Sequence, residues 1–283
     1  MNMNDMFHGI RWRWIDHAGS GLHFHPLQSF AYDDTFCVSA GAGLAPVMRA
    51  WVHSPVVVLG IQDSRLPSAA DGIDLLREQG YQVIVRNSGG LAVVLDEGIF
   101  NLSFIFKENK QFSIHSGYEL MWEAVRRMFP DAPASIDAYE VKGSYCPGDY
   151  DLSINGRKFA GISQRRIRGG AAVQIYMAVH GSGAKRARLL KQFYETAAGG
   201  DHPPAFEPPR IEPQVMASLA ELYDGTFTIN DVLYRLLTTV KNEGAFIDES
   251  RLEEDEQERF DMYLNRVMER NDKALRKTKQ QNP

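Results

Sequence analysis

Three short segments carry residue types that can do chemistry. RNSGGLAV at 86–93 follows a strand-like run, and its Gly89-Gly90 lets backbone N–H groups approach a ligand with no Cβ between. KGSYCPGDYD at 142–151 holds Cys146 in a loop of glycine, serine and proline, a setting that exposes a thiol rather than burying it. NGRKFAG at 155–161 puts Lys158 just past an Asn-Gly turn, in a run that otherwise pairs apolar residues. An ionised thiol is a nucleophile, and a diglycine is a cradle of backbone donors. Singly, each segment also has a purely structural reading. The diglycine makes a plain hairpin turn, the cysteine is a small loop residue, and the lysine is a surface side chain with its head in water.

Composition narrows the classes. The chain has 283 residues and two cysteines, Cys37 and Cys146, so a disulfide scaffold and a four-cysteine zinc site are excluded. Cys37 falls on an apolar helical stretch and reads as core filler. His23 and His25 are too few to hold a metal, and no metal or other cofactor is expected. A formal charge of −5 and a pI near 5.9 argue against a nucleic-acid binder. No apolar run approaches the ~18–20 residues that cross a bilayer. The N-terminal stretch MNMNDMFHGIRWRWIDH lacks the apolar core of a signal peptide, so no membrane partner and a cytoplasmic location are expected.

The elements that must position these segments can be read from period and punctuation. Residues 1–27 form an aromatic, histidine-rich arm. A helix is expected over 28–44, strands at 47–52 and 56–60, a short helix between Gly72 and Gly80, a strand at 81–86, and two strands within 91–106. Ser116, with Glu119 three residues on, has capping-box spacing and should open a helix that Pro130 ends. Asn155-Gly156 and Arg168-Gly169-Gly170 mark two hairpins. A helix follows over 182–195, then a proline-rich linker over 203–213, then helices near 214–223, 229–243 and 256–277. The basic run 185–188 and the acidic run 253–258 read as solvated helix faces. The fold class is therefore α+β: a mixed sheet of seven to nine strands with helices on one side. The domain reading is an arm over 1–27, a catalytic body over 28–225 and a helical C-terminal extension over 226–283.

The order strand, RxSGG, strand, then a hairpin bearing GRKxxG, resembles the catalytic domain of the biotin/lipoate protein ligase family over roughly residues 28–225. MRAWVHSPVVVLGIQD at 48–63 looks like that family's first strand pair. The resemblance implies that Arg86, Ser88, Gly89 and Gly90 cradle an acyl chain, with Gly161 also in the binding site, and that Lys158 contacts the reacting carbonyl. Two departures stand out. Asn87 sits where the ATP-using ligases carry a second arginine, and Cys146 precedes the hairpin, twelve positions before Lys158 (158 − 146 = 12). The first argues against an ATP-using ligase, and the cysteine looks like the octanoyltransferase branch, whose reaction needs no ATP.

That branch implies a cysteine acyltransferase of lipoate assembly. Its octanoyl group would come from the lysine of octanoylated glycine cleavage H protein and pass to lipoyl domains of 2-oxoacid dehydrogenase complexes. An octanoyl-acyl carrier protein donor, or an ATP-dependent lipoate ligase, are the alternatives. Cys146 would form the thioester. A free thiol near pKa ~8.5 is only about 3% ionised at pH 7. A neighbouring ammonium favours the thiolate, and Lys158 is expected both to do this and to protonate the departing amine. Val93, Leu95, Phe159 and Ile162 are expected to wall the acyl slot, and Arg165, Arg166 and Arg168 to dock the acidic protein substrate.

Overall fold

The computed structural model describes residues 3–86, 89–109, 112–199 and 206–280. The elements run α1 (Met3–Phe7), β1 (Arg11–His17), α2 (Leu27–Gly41), β2 (Val47–Trp51), β3 (Val56–Leu59), α3 (Ala69–Glu78), β4 (Gln82–Val85), β5 (Val93–Leu95) and β6 (Ile99–Lys107). They continue α4 (Ile114–Met128), β7 (Ile136–Ala138), β8 (Asp151–Ile154), β9 (Arg157–Ile167), β10 (Gly170–Ala178) and α5 (Gly183–Ala197). The chain then closes with α6 (Leu219–Leu222), α7 (Ile229–Asn242), β11 (Phe246–Glu249) and α8 (Glu254–Gln280). Among the described residues there are two sheets. The larger has eight strands in the order β11-β1-β2-β6-β10-β9-β8-β7, and the smaller is β4-β3-β5. The expected mixed sheet is present, with the second sheet set beside it.

Helices cover both faces of the large sheet, not one. The reason lies in β6, IFNLSFIFK, which is buried along nearly its whole length. Phe100, Leu102 and Phe104 pack with Leu120 and Val125 of α4 and Leu236 of α7. Ile105 faces the other way, with Phe36, Cys37 and Ala40 of α2. Cys37 is thus core filler as expected, and burial pushes its thiol well up. The two hairpins turn where positive φ is required, at Asn155 and Gly156 and at Arg168 and Gly169. The helix start near 116 moves by three residues. Ser113 is the cap, its hydroxyl accepting from the Ser116 amide, and Glu119 instead receives the Tyr150 hydroxyl at 2.5 Å.

Both ends of the chain are built into this body. β1 lies inside the large sheet, parallel to β11 on one side and β2 on the other. Phe7, Trp12 and Phe104 form one aromatic cluster with centroids 5.1–5.8 Å apart. The two charged runs read as solvated faces each bury one member. Arg186 donates to Asp96 at 2.8 and 2.7 Å. Glu256 accepts from Arg13 at 2.8 and 2.7 Å and is 1% exposed. Burial opposes ionisation of Glu256, but the hydrogen bonds from Arg13, the Glu253 amide and Ser39, with the Arg13 charge, together outweigh it and hold the carboxyl below its usual range. At the far end of the same helix, Asn271 accepts from the Val85 amide of β4 at 2.9 Å, and Thr278 donates to the Ser64 carbonyl at 3.1 Å. α8 therefore straps the small sheet to the large one.

Removing Glu256 leaves the buried Arg13 guanidinium with only the longer contact to the exposed Glu253, at 3.8 Å, for its charge. Glu256→Ala should lower unfolding free energy by about 3–5 kcal/mol in chemical denaturation, and the paired Arg13→Met/Glu256→Leu change should lower it far less.

Candidate active site

The site lies where the two sheets meet. β4 and β5 flank β3 on opposite sides, β4 parallel and β5 antiparallel to it. The segment joining them is therefore not a hairpin. It crosses over the end of β3, where a Cβ on Gly60 would collide with the Gly90 carbonyl. Arg86 starts this crossing, its amide bonded to the Leu59 carbonyl at 2.9 Å. Gly89 and Gly90 are exposed at the cavity wall. Ser88, with Asn87, lies outside the described residues.

From the large sheet comes the loop that bears Cys146. Its thiol is half-buried, and the residue has φ of +45°, a left-handed conformation that a side chain with a Cβ rarely adopts. Lys158 fastens this conformation from beneath. Its ammonium is fully buried and reaches Asp151 Oδ1 at 2.8 Å, the carbonyls of Tyr145 and Cys146 at 3.0 Å each, and Ser144 Oγ at 3.3 Å. A β-bulge aims it there: Leu152 pairs with Ala160 but Ser153 with Lys158, so Phe159 is the extra residue. Asp151 also accepts from the Val141 amide and Ser144 hydroxyl. Burial raises its carboxyl above the usual range, with Lys158 pulling the other way.

The bonds of Lys158 thus go to the backbone of Cys146, and the sulfur has different partners. The Leu91 amide donates to Sγ at 3.3 Å and Arg86 Nη2 at 3.5 Å. The same Nη2 donates to the Leu91 carbonyl. Two sheets therefore meet at one thiol, with the loop backbone held from the large sheet and the sulfur met from the small one.

A cavity of about 350 Å³ opens beside it, lined in part by Val58, Val93, Leu95 and Ile162. Phe159 is not in this wall. It is fully buried in the core against α4, because the bulge turns it inward. Gly161 lines the cavity too, and a Cβ there would meet the Tyr176 ring at 2.7 Å. Asp151 faces the cavity, whereas Lys158 sits behind it. The arginine strip is largely spent inside the protein: Arg165 pairs with Asp34 at 2.8 Å and Arg166 with Glu108 at 2.5 Å. Arg168 alone of the three is exposed, at the hairpin turn.

Sequence reasoning missed Asp151, Leu91, Asp63 and Tyr194. Asp151 had a signal: an acidic residue opening the apolar strand DLSI must find a cation, and the other arm of the Asn155-Gly156 hairpin begins with Arg157 and Lys158. Asp63 and Tyr194 had none, being 131 residues apart. Asp63 is fully buried and accepts from the Gly60 amide at 2.7 Å and the Tyr194 hydroxyl at 2.9 Å. Burial pushes its carboxyl up to about 6, against those bonds and the nearby Arg86.

Comparison with known proteins places the chain. A family model described as the lipoyl protein ligase A/B catalytic domain matches residues 25–241. An octanoyl-GcvH:protein N-octanoyltransferase of Staphylococcus aureus is 48% identical over 271 residues, spanning 95% of this chain and 96% of its own. One from Bacillus velezensis is 51% identical over 269 residues, spanning 93% of each. Among solved structures, a lipoate-protein ligase A bound with ATP aligns with TM-score 0.65 at 19% identity, over 90% of this chain and 94% of that one. A bipartite lipoate protein ligase of Thermoplasma acidophilum gives 0.64 at 19%, over 91% and 92%. These two share the fold.

The raised Asp63 carboxyl makes a stability prediction. Because its folded value lies above the ~4 of an unfolded carboxyl, the folded protein holds an extra proton between pH ~4 and ~6. Stability should therefore fall as pH rises through that window, by about 3 kcal/mol for this group. Urea denaturation of wild type and Asp63→Asn at pH 4, 5, 6 and 7 should show a difference between the two that changes across the window and is flat above it.

Proposed function

The chain belongs to the lipoyl protein ligase A/B catalytic-domain family, and within it we propose that it moves octanoyl groups between lysine amides through a thioester on Cys146. It is a protein N-octanoyltransferase, with octanoyl-GcvH as donor. The acceptors are lipoyl-type proteins, and we assign them to the lipoyl domains of 2-oxoacid dehydrogenase complexes. The reaction is placed in the cytoplasm, where thiols stay reduced. Among the described residues, no helix is long and apolar enough to cross a membrane.

The observation that carries the mechanism is the thiol of Cys146 at the cavity wall, met by an amide and a guanidinium and backed by a buried ammonium. The thiolate attacks the octanoyl-lysine carbonyl. The tetrahedral intermediate collapses, the C–N bond breaks, and the departing amine takes a proton. What remains is an octanoyl thioester on Cys146. The acceptor amine then attacks the thioester, the C–S bond breaks, and the proton returns. One lysine amide is broken and one is made, so the overall free-energy change is near zero and ATP has no step to drive. The covalent intermediate divides a hard exchange into two matched halves.

Proton exchange is the second requirement, since an amine anion is too poor a leaving group. We assign it to Lys158 with Asp151. The ammonium lies behind the cavity and its bonded carboxylate lies in the wall, so a proton passes to and from the bound amine across this pair. Arg86, Gly89, Gly90 and Gly161 line the space in which the acyl carbonyl sits, and Val58, Val93, Leu95 and Ile162 accept the apolar chain.

The test is intact-mass analysis after mixing with octanoylated GcvH protein and no ATP. Wild type should gain one octanoyl group, lost on hydroxylamine treatment, and Cys146→Ala should gain none. Transfer that survives Cys146→Ala, or that requires ATP, overturns the thioester. Lys158→Met, read by single-turnover acylation, should slow the step by about 10²–10⁴-fold, the range for losing a proton-transfer group.

A further inference from the structure

We propose that the buried Asp63–Tyr194 pair is a positioning device for the nucleophile, setting the loop so that the Leu91 amide and the Arg86 guanidinium meet the Cys146 sulfur. The proposal rests on Cys146 being the nucleophile.

The chain of contacts is short. Tyr194, on α5, donates its hydroxyl to Asp63 Oδ1 at 2.9 Å and accepts the Ala92 amide at 3.2 Å. The next amide back, that of Leu91, donates to Cys146 Sγ at 3.3 Å. The two consecutive N–H groups thus have two different receivers. Fixing the Ala92 amide on Tyr194 fixes the Leu91–Ala92 peptide, whose carbonyl accepts from Arg86, so only the φ and ψ of Leu91 stand between that anchored plane and the amide on the sulfur. Asp63 acts at the other end of the same crossing. Its Oδ2 accepts the Gly60 amide at 2.7 Å, and Gly60 is the residue the Gly90 carbonyl presses against. Arg86 begins the crossing and returns its guanidinium to the Leu91 carbonyl and the sulfur. Asp63 and Tyr194 are 0% and 3% exposed, so neither touches substrate. A phenol that donates to a carboxylate becomes a better acceptor for Ala92, because hydrogen bonds in a chain polarise one another.

A tyrosine that merely filled the core would change stability when replaced, but not the ionisation of a thiol beyond the loop. The two roles therefore separate. In the full-length chain, Cys146 is alkylated with iodoacetamide from pH 6 to 10. Peptide mapping separates Cys146 from the buried Cys37, and thermal melting is recorded alongside. Tyr194→Phe keeps the ring and removes both bonds. It should cut the alkylation rate at pH 7 by about tenfold, the scale of one charge-assisted contact, with the rates converging at high pH where every thiol is ionised. Asp63→Asn, which leaves Tyr194 in place, should shift the profile in the same direction. A wild-type alkylation profile in folded Tyr194→Phe and Asp63→Asn overturns the proposal. The assay needs no octanoyl donor. Failure of wild type to form a thioester would therefore refute the catalytic reading by itself, and an unchanged profile would refute only the positioning one.

Discussion

Burial of the Lys158 ammonium is the constraint from which the site follows. A lysine with no exposure is tolerable only if every N–H finds an acceptor, and one of those must be an anion. Asp151 supplies the charge, and the chain between Val141 and Gly148 must then fold to supply the rest. The carbonyls of Tyr145 and Cys146 and the hydroxyl of Ser144 turn inward to the cation, and the Val141 amide turns to the carboxylate. A segment with two consecutive carbonyls drawn to one point cannot stay extended. Cys146 takes up its positive φ as a result. The conformation that presents the thiol is thus a by-product of satisfying a buried charge.

That leaves the sulfur to be met from elsewhere, and the second sheet exists in the right place to do it. Residues 86–92 leave β4 and must reach β5 across the end of β3, because β3 lies between them. The Arg86 amide still bonds the Leu59 carbonyl of β3, but the amides of Leu91 and Ala92 turn away from the ladder. One goes to Tyr194 and one to Cys146. The small sheet would be a weak anchor alone, with three strands of three or four residues. α8 corrects this, reaching from Arg13 in the large sheet to Val85, the residue before Arg86. The C-terminal helix therefore bears on the chemistry without touching it.

Much of this was legible in the sequence, and the misses follow one rule. Local chemistry read well: the two hairpins from Asn155-Gly156 and Arg168-Gly169, the long helices, Cys37 on an apolar stretch, and Cys146 in a Gly/Pro loop. What depended on a distant partner did not. The segment over 1–27 reads as an arm because both partners of β1 are non-local, β2 across the intervening α2 and β11 more than 230 residues away. Arg186 and Glu256 read as solvated because runs of charge usually are, and their partners Asp96 and Arg13 are remote. Phe159 reads as a slot wall because it is an apolar neighbour of Lys158, and the bulge that makes it the extra residue puts it in the core instead. Lys158 reaches Cys146 through its carbonyl, while the hydrogen bonds to the sulfur come from Leu91 and Arg86. Sequence spacing brought the lysine to the cysteine but could not say which atom of the cysteine it would reach.

That last distinction bears on how the reaction divides its labour. A single cation serving both thiol and leaving group would face conflicting demands. Stabilising a thiolate requires a charge held close and kept, whereas delivering a proton requires giving the charge up. On the proposed mechanism the two tasks fall to different residues. The Arg86 guanidinium donates to the sulfur at 3.5 Å. Lys158 is bonded to Asp151, whose carboxylate faces the cavity. Octanoyl exchange between two lysine amides runs equally well in either direction, so the site gains nothing from an acid–base pair biased one way. On the proposed mechanism it gains from a thiolate that is a good nucleophile in the first half and a good leaving group in the second, and from a proton that can move in each. A guanidinium at the sulfur and a lysine–carboxylate pair behind the cavity would meet those two conditions with separate residues, each held where its own task requires.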